Sequence, residues 1–182
     1  MYKYIKRGFD FGASLCLIIV LSPFLLILYT LLRINVGGAP GFYLQPRYGI
    51  KKTPFVMYKF KTMIDDHSLD DALRVTKFST FVRNTGLDEL PQLFNILKGD
   101  MSFVGPRPFM INDVLPKNSY NPKRYLVKPG VFGLAQANGR RYVTHNQKIA
   151  WDLEYVDRIS FMTDLKVFFK SIWVVIIQLF DK

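Results

Sequence analysis

The sequence is poor in the side chains that staple a fold together. It has one cysteine and two histidines in 182 residues. A disulfide framework is therefore excluded, and no Cys/His cluster has zinc spacing, since His67 and His145 lie far apart. Any metal is expected to sit on oxygen. Cys16, inside an apolar run, reads as a small buried hydrophobe rather than a nucleophile. Acidic residues are also scarce: 14 Asp and Glu face 25 Lys and Arg, for a formal net charge of +11. Such a chain seeks phosphates, on a membrane surface or on nucleic acid. Nucleic acid is not expected as a partner, because no basic stripe is interleaved with aromatics. Repeats and low-complexity stretches are absent, and 49% hydrophobic residues exclude a disordered or coiled-coil class. The length suits one core, not separate binding and catalytic domains.

What the chain has is one long apolar run. No residue from Phe11 to Leu32 is charged, and as a helix the run would extend about 33 Å, enough to cross a hydrocarbon core of about 30 Å. Fourteen Leu, Ile, Val and Phe residues in it supply roughly 4 to 8 kcal/mol of insertion free energy. A cleaved signal peptide fits poorly: the run is too long, and Leu31-Leu32-Arg33 offers no small-residue cleavage site. Ser22-Pro23 at the midpoint predicts a break, since an interior proline costs about 3 kcal/mol in a straight helix. Lys3, Lys6 and Arg7 precede the run, and Arg33, Arg47, Lys51 and Lys52 follow it. The positive-inside rule puts both sets on the cytoplasmic side, which a helix hinged at Ser22 and Pro23 satisfies. A kinked single-pass span is the alternative.

Beyond Arg33, Val36 to Gly41 reads as a turn, and Phe55 to Phe60 after Thr53-Pro54 as a short strand. The acidic stretch Asp65 to Asp71 is expected to be a solvated loop rather than a divalent-ion site. Leu87, Leu90, Phe94 and Leu97 recur as one face of a helix ended by Gly99, with Asp88 and Glu89 in its first turn and Pro91 near its start. Asp164 to Phe180 suits an interfacial helix, or one packed on the rest of the domain; its uncharged run of ten residues from Ser171 is too short to span.

Asp88 and Glu89, with Arg83 upstream and Arg107 held in Val104-Gly105-Pro106-Arg107-Pro108, could handle phosphate. Two carboxylates repel a phosphate until Mg²⁺ or guanidinium groups cancel the charge. Acidic residues in a first turn also simply favour a helix through its dipole, so spacing leaves both readings open.

Longer motifs point further. Lys6-Arg7 with Asp10, the run broken at Ser22-Pro23, Tyr58-Lys59-Phe60-Lys61-Thr62-Met63, Leu87-Asp88-Glu89-Leu90-Pro91-Gln92, Lys98-Gly99-Asp100-Met101-Ser102, the turn carrying Arg107, and Lys128-Pro129-Gly130 through Gly133-Leu134-Ala135-Gln136 occur in order over almost the whole chain. The set closely resembles the bacterial sugar transferase family, monotopic phosphoglycosyl transferases, and matches its small, catalytic-domain-only members. The resemblance implies an α+β, mostly helical, membrane-associated domain, with a re-entrant membrane helix over residues 1–33, a short strand element and interfacial helices. Residues 34–182 would form the catalytic domain on the cytoplasmic face of the bacterial inner membrane.

The implied reaction moves a phosphosugar from a UDP-sugar to polyprenol phosphate, releasing UMP, as the first membrane step of glycan assembly. It implies Asp88 as covalent nucleophile and metal ligand, Glu89 beside it, and Mg²⁺ as cofactor. Lys59, Arg83 and Arg107 are the implied phosphate-binding residues, and the helix start is expected to keep Asp88 ionised. Lys61 departs from a common arginine and Phe132 from a common small hydroxyl residue. The sugar, the polyprenol and any homodimer are left open, and a non-catalytic module for acidic lipids is the competing class.

Overall fold

The computed structural model describes residues 1–38, 41–66, 68–111, 121–139 and 144–180. Ten helices and strands occur in these segments. They are α1 (Tyr2–Asn35), β1 (Phe42–Tyr48), β2 (Pro54–Phe60), α2 (Lys77–Thr85), α3 (Gln92–Lys98), β3 (Ser102–Val104), β4 (Gly130–Phe132), α4 (Leu134–Gly139), α5 (His145–Asp157) and α6 (Phe161–Phe180). The class is α+β, as expected, with two small sheets: an antiparallel hairpin of β1 and β2, and a parallel pair of β3 and β4. Only β2 was anticipated. Pro46 interrupts the β1 pattern, and a two-stranded sheet tolerates it because one side of each strand has no partner to hydrogen-bond.

Helix α1 passes through Pro23 as one helical element, so the expected break is absent as an interruption. The reason is local. Pro23 cannot donate to the Ile19 carbonyl four residues back, and the Ser22 hydroxyl donates to that oxygen instead, at 2.8 Å. Cys16 is exposed rather than buried, on a helix that also exposes Ile19, Val20, Leu26 and Ile27.

Both halves of α1 pack on the same body. Before Pro23, Arg7 donates to the Ile96 and Leu97 carbonyls at 2.7 and 2.8 Å, capping the end of α3, and Asp10 accepts from the Phe103 amide at 3.2 Å. Beyond Pro23, Leu25, Leu28 and Leu32 share a core cluster with Phe60 and Val82. Tyr2 and Lys6 donate to Asp164 at the start of α6, which also accepts from Tyr155 at 2.6 Å.

The expected single helix over Leu87 to Leu97 is split. A 3₁₀ turn covers Leu87–Glu89, and α3 starts at Gln92 with Pro91 as its N-cap. Continued α-helix would drive the Pro91 ring into the Leu87 carbonyl, so the chain tightens there. The buried face is Leu93 and Ile96, not the forecast face, whose Phe94 is exposed. Asn95 locks α3 to β2: its side chain accepts from the Tyr58 amide at 2.9 Å and donates to the Val56 carbonyl at 2.7 Å. It thereby stands in for a neighbouring strand.

Two glycines let the backbone after β3 approach the start of β4 closely. A Cβ on Gly130 would lie 2.1 Å from the Gly105 amide nitrogen, and one on Gly105 would lie 2.4 Å from the Lys128 carbonyl oxygen. Backbone cannot yield there as a side chain can. Gly130→Ala is expected to cost about 3 kcal/mol, lowering the unfolding midpoint in detergent by roughly 6 to 12 °C. A shift under about 2 °C would mean the close approach relaxes freely.

Candidate active site

Three segments meet at the acidic pair. Gly86, left-handed at φ 75°, ends α2 and turns the chain into the 3₁₀ turn that carries Asp88 and Glu89. Lys59 comes from β2, and Arg107 from the stiff turn after β3. Glu89 accepts from Lys59 Nζ at 2.8 Å and from Arg107 Nη2 at 2.6 Å, with Arg107 Nη1 on its second oxygen at 3.3 Å. The two expected phosphate ligands are thus also Glu89's partners. Arg107 keeps 42% of its side chain exposed, with both terminal nitrogens of its fork on Glu89. Arg83 is exposed at the end of α2 and acts on Asp88 through charge.

Neighbouring carboxylates end up with opposite character. Burial alone would raise the Glu89 carboxyl. The Arg107 guanidinium, by charge and hydrogen bonds, and then Lys59 outweigh it, and hold Glu89 well below the usual carboxylate range. Asp88 is pushed up to about 6, first by burial and then by the Glu89 charge, with Lys59, its own backbone amide and Arg83 pulling the other way. Burial outweighs the helix start that was expected to govern it. At neutral pH Asp88 is still mostly ionised, yet more basic than an ordinary carboxylate. Among the described residues no side chain donates a hydrogen bond to it. One carboxylate is fixed as an ionic partner and the other is free to react, the separation seen where paired acids take different roles.

A support for Arg107 escaped the sequence. Arg124 donates to the Arg107 carbonyl oxygen and, through Nε, to Asp152 at 2.7 Å, and its guanidinium lies 3.6 Å from the Phe109 ring centroid. Arg124 and Asp152 are 4% and 3% exposed. No spacing signal joins two residues 28 positions apart on different elements. Lys61, by contrast, pairs with Asp65 and does not join the dyad's hydrogen bonds. Lys128 lines a separate cavity with Lys3, Arg7 and Asp10, away from the dyad. The acidic stretch is a loop in its described part, with Ser68 donating to Asp66. His67, Arg140 and Arg141 lie outside the described residues.

No group of three or more Asp, Glu, His or Cys among the described residues is placed to hold a metal. Mg²⁺ commonly takes one or two carboxylates and completes its shell with phosphates and water. Asp88, whose oxygens carry no side-chain donor, fits that role; Glu89 is engaged by cations.

The profile of the bacterial sugar transferase family matches residues 1–178. The chain belongs to this family. It is 40% identical to an uncharacterized sugar transferase, EpsL, of Bacillus subtilis (strain 168), over 90% of this chain and 83% of that protein. It is 34% identical to an undecaprenyl-phosphate galactose phosphotransferase of Salmonella typhimurium, over 96% of this chain and 41% of the relative. It is 38% identical to a UDP-glucose:undecaprenyl-phosphate glucose-1-phosphate transferase of Klebsiella pneumoniae, over 92% of this chain and 39% of the relative. The chain spans about two-fifths of the length of the latter two.

A buried carboxylate raised to about 6 costs stability once it ionises. In the unfolded chain it ionises near 4, so the folded state loses ground as pH climbs from 4 to 6 and stays penalised above. In EDTA, Asp88→Asn is expected to stabilise the protein at pH 7.5 by on the order of 1–3 kcal/mol, with the gain vanishing toward pH 4. Equal midpoints for both proteins across that range would refute the raised carboxyl.

Proposed function

We propose that this chain transfers a phosphosugar from a UDP-sugar to polyprenol phosphate by way of a covalent aspartyl intermediate on Asp88. The observation that carries the reading is the split dyad, in which Glu89 is tied to Arg107 and Lys59 while Asp88 is more basic and has no side-chain donor. The names of the Salmonella and Klebsiella relatives support its coarser part, transfer of a sugar phosphate to undecaprenyl phosphate, with UDP-glucose as donor in the Klebsiella protein.

In the first step an Asp88 oxygen attacks the β-phosphorus of the nucleotide sugar. The new O–P bond forms as the bond from that phosphorus to the α–β bridging oxygen breaks, and UMP leaves with that oxygen. In the second step a phosphate oxygen of the polyprenol phosphate attacks the same phosphorus and displaces Asp88, giving polyprenol diphosphate sugar. Dividing one transfer in two is what a carboxylate nucleophile offers. Glu89 keeps Arg107 and Lys59 aimed at the reacting phosphates, whose charge they and Arg83 offset. Mg²⁺, held by Asp88 and the diphosphate, would supply further charge neutralisation.

The reading places residues 1–33 in the cytoplasmic leaflet of the bacterial inner membrane as a re-entrant helix, and residues 34–182 on the cytoplasmic face, where a soluble nucleotide sugar and a lipid phosphate meet. Support comes from the packing of α1. Arg7 near its start and Leu32 near its end both contact one body, whereas a perpendicular span would carry one of these contacts into the bilayer or across it. In a Cys16→Ser background, Lys3→Cys and Lys77→Cys should both resist an impermeant thiol reagent in intact cells. Labelling of just one of them would mean that α1 spans.

The intermediate has a direct test. Incubation with a panel of UDP-sugars and Mg²⁺, without polyprenol phosphate, should release UMP and add one phosphosugar mass to the peptide containing Asp88; Asp88→Asn should do neither. UMP release that requires polyprenol phosphate, with no adduct, would favour direct transfer and make Asp88 a base or metal ligand.

A further inference from the structure

A groove of about 440 Å³ that includes Glu89, the neighbour of Asp88, lies between α1 and α6. Its mouth holds Glu89 and Arg107. Leu17 and Leu21 of α1 form one wall, Ile172 and Val175 of α6 the other, and the walls are mainly apolar. Phe132, which departs from the small hydroxyl residue common in the resembling family, meets Phe168 of α6 edge-on at 5.0 Å within it. Beyond the groove, the outer surfaces of α1 and α6 expose Leu26, Ile27, Phe169 and Trp173.

Two polar groups in this wall have no partner among the described residues. Both side-chain polar atoms of Gln136 are buried without a hydrogen bond, and so is the Ser171 hydroxyl. Gln136 lies against Gly133, where a Cβ would approach its Oε1 to 2.1 Å and the Gly105 carbonyl oxygen to 2.9 Å. The amide therefore sits beside the turn that carries Arg107. Unsatisfied amides and hydroxyls are costly in apolar surroundings unless a ligand or water meets them.

We infer that this groove holds the first isoprene units of the acceptor lipid, with its phosphate at Arg107 and Gln136 and the rest of the chain continuing over α1 and α6 into the bilayer. The assignment rests on the transferase reading above and specifies where its acceptor enters. The occupant follows from matched polarity: a cation and an amide at one end suit a phosphate, the dry walls suit a hydrocarbon chain, and the exposed apolar faces beyond suit the membrane in which that chain is dissolved. It also lets the two substrates approach Asp88 from different sides, the polyprenol through the groove and the nucleotide from water.

The test uses the full chain in bilayer nanodiscs. A polyprenyl phosphate bearing a diazirine on its first isoprene unit should crosslink to peptides containing residues 17–21 or 168–176, and unlabelled polyprenyl phosphate should compete. Labelling confined to other peptides, a second copy of the chain included, would overturn the assignment. In kinetics, Val175→Trp fills the groove and is expected to raise KM for polyprenol phosphate about tenfold, while KM for the UDP-sugar moves less than about twofold. Gln136→Met keeps the length, removes the amide, and should raise the acceptor KM at least about threefold. Unchanged acceptor KM in both variants, or equal rises for both substrates, would refute it. Should Val175→Trp fail to fold, the crosslinking decides. A wild-type chain that releases no UMP but crosslinks along the groove would refute the transferase reading and leave the lipid site standing.

Discussion

The Glu89 carboxylate, clamped between Arg107 and Lys59, is the contact on which the rest of the site depends. It joins β2, the 3₁₀ turn and the turn after β3. The cluster is only partly buried, and each of its charges has a partner of opposite sign. Its electrostatic consequence falls on the neighbour. Two carboxylates cannot both be well stabilised by the same cations, and Glu89 takes the nearer hydrogen bonds. Asp88 is left desolvated, basic and without a side-chain donor. Counted together, Lys59, Arg83 and Arg107 exceed Asp88 and Glu89 by one positive charge, which suits a site that receives phosphate anions.

Behind this cluster stand rigid supports. Arg124 ties the Arg107 backbone to Asp152, the Gly105–Gly130 approach fixes the turn's exit angle, and Asn95 holds α3 on the strand that carries Lys59. Each replaces a flexible degree of freedom with a buried hydrogen bond or a close backbone contact. Reaction geometry must be held to fractions of an ångström, and supports of this kind provide it.

Helix α1 contributes more than attachment. Its leucines complete the cluster containing Phe60 and Val82, and its first turns cap α3 and pin the start of α6. Removing it would strip the apolar cover from β2 and α2, the elements next to Lys59 and Arg83. Membrane contact and catalytic architecture therefore share one helix.

Much of this was legible in residue order. The uncharged run and the ordered motifs pointed to a helix long and apolar enough to cross a membrane and to the family, because hydropathy and turn chemistry are local properties that a sequence writes out directly. The acidic pair and its cations were found by the same route. The motif resemblance already set Asp88 apart from Glu89, but the physical difference between them belongs to the tertiary structure, since it comes from burial and from which carboxylate Arg107 and Lys59 reach across the fold. The continuous course of α1 through Pro23 depended on one hydroxyl finding the freed carbonyl. The Arg124–Asp152 pair and the groove between α1 and α6 join residues remote in sequence, and burial, which sets both the charge of Asp88 and the dryness of that groove, exists only once the chain has closed on itself.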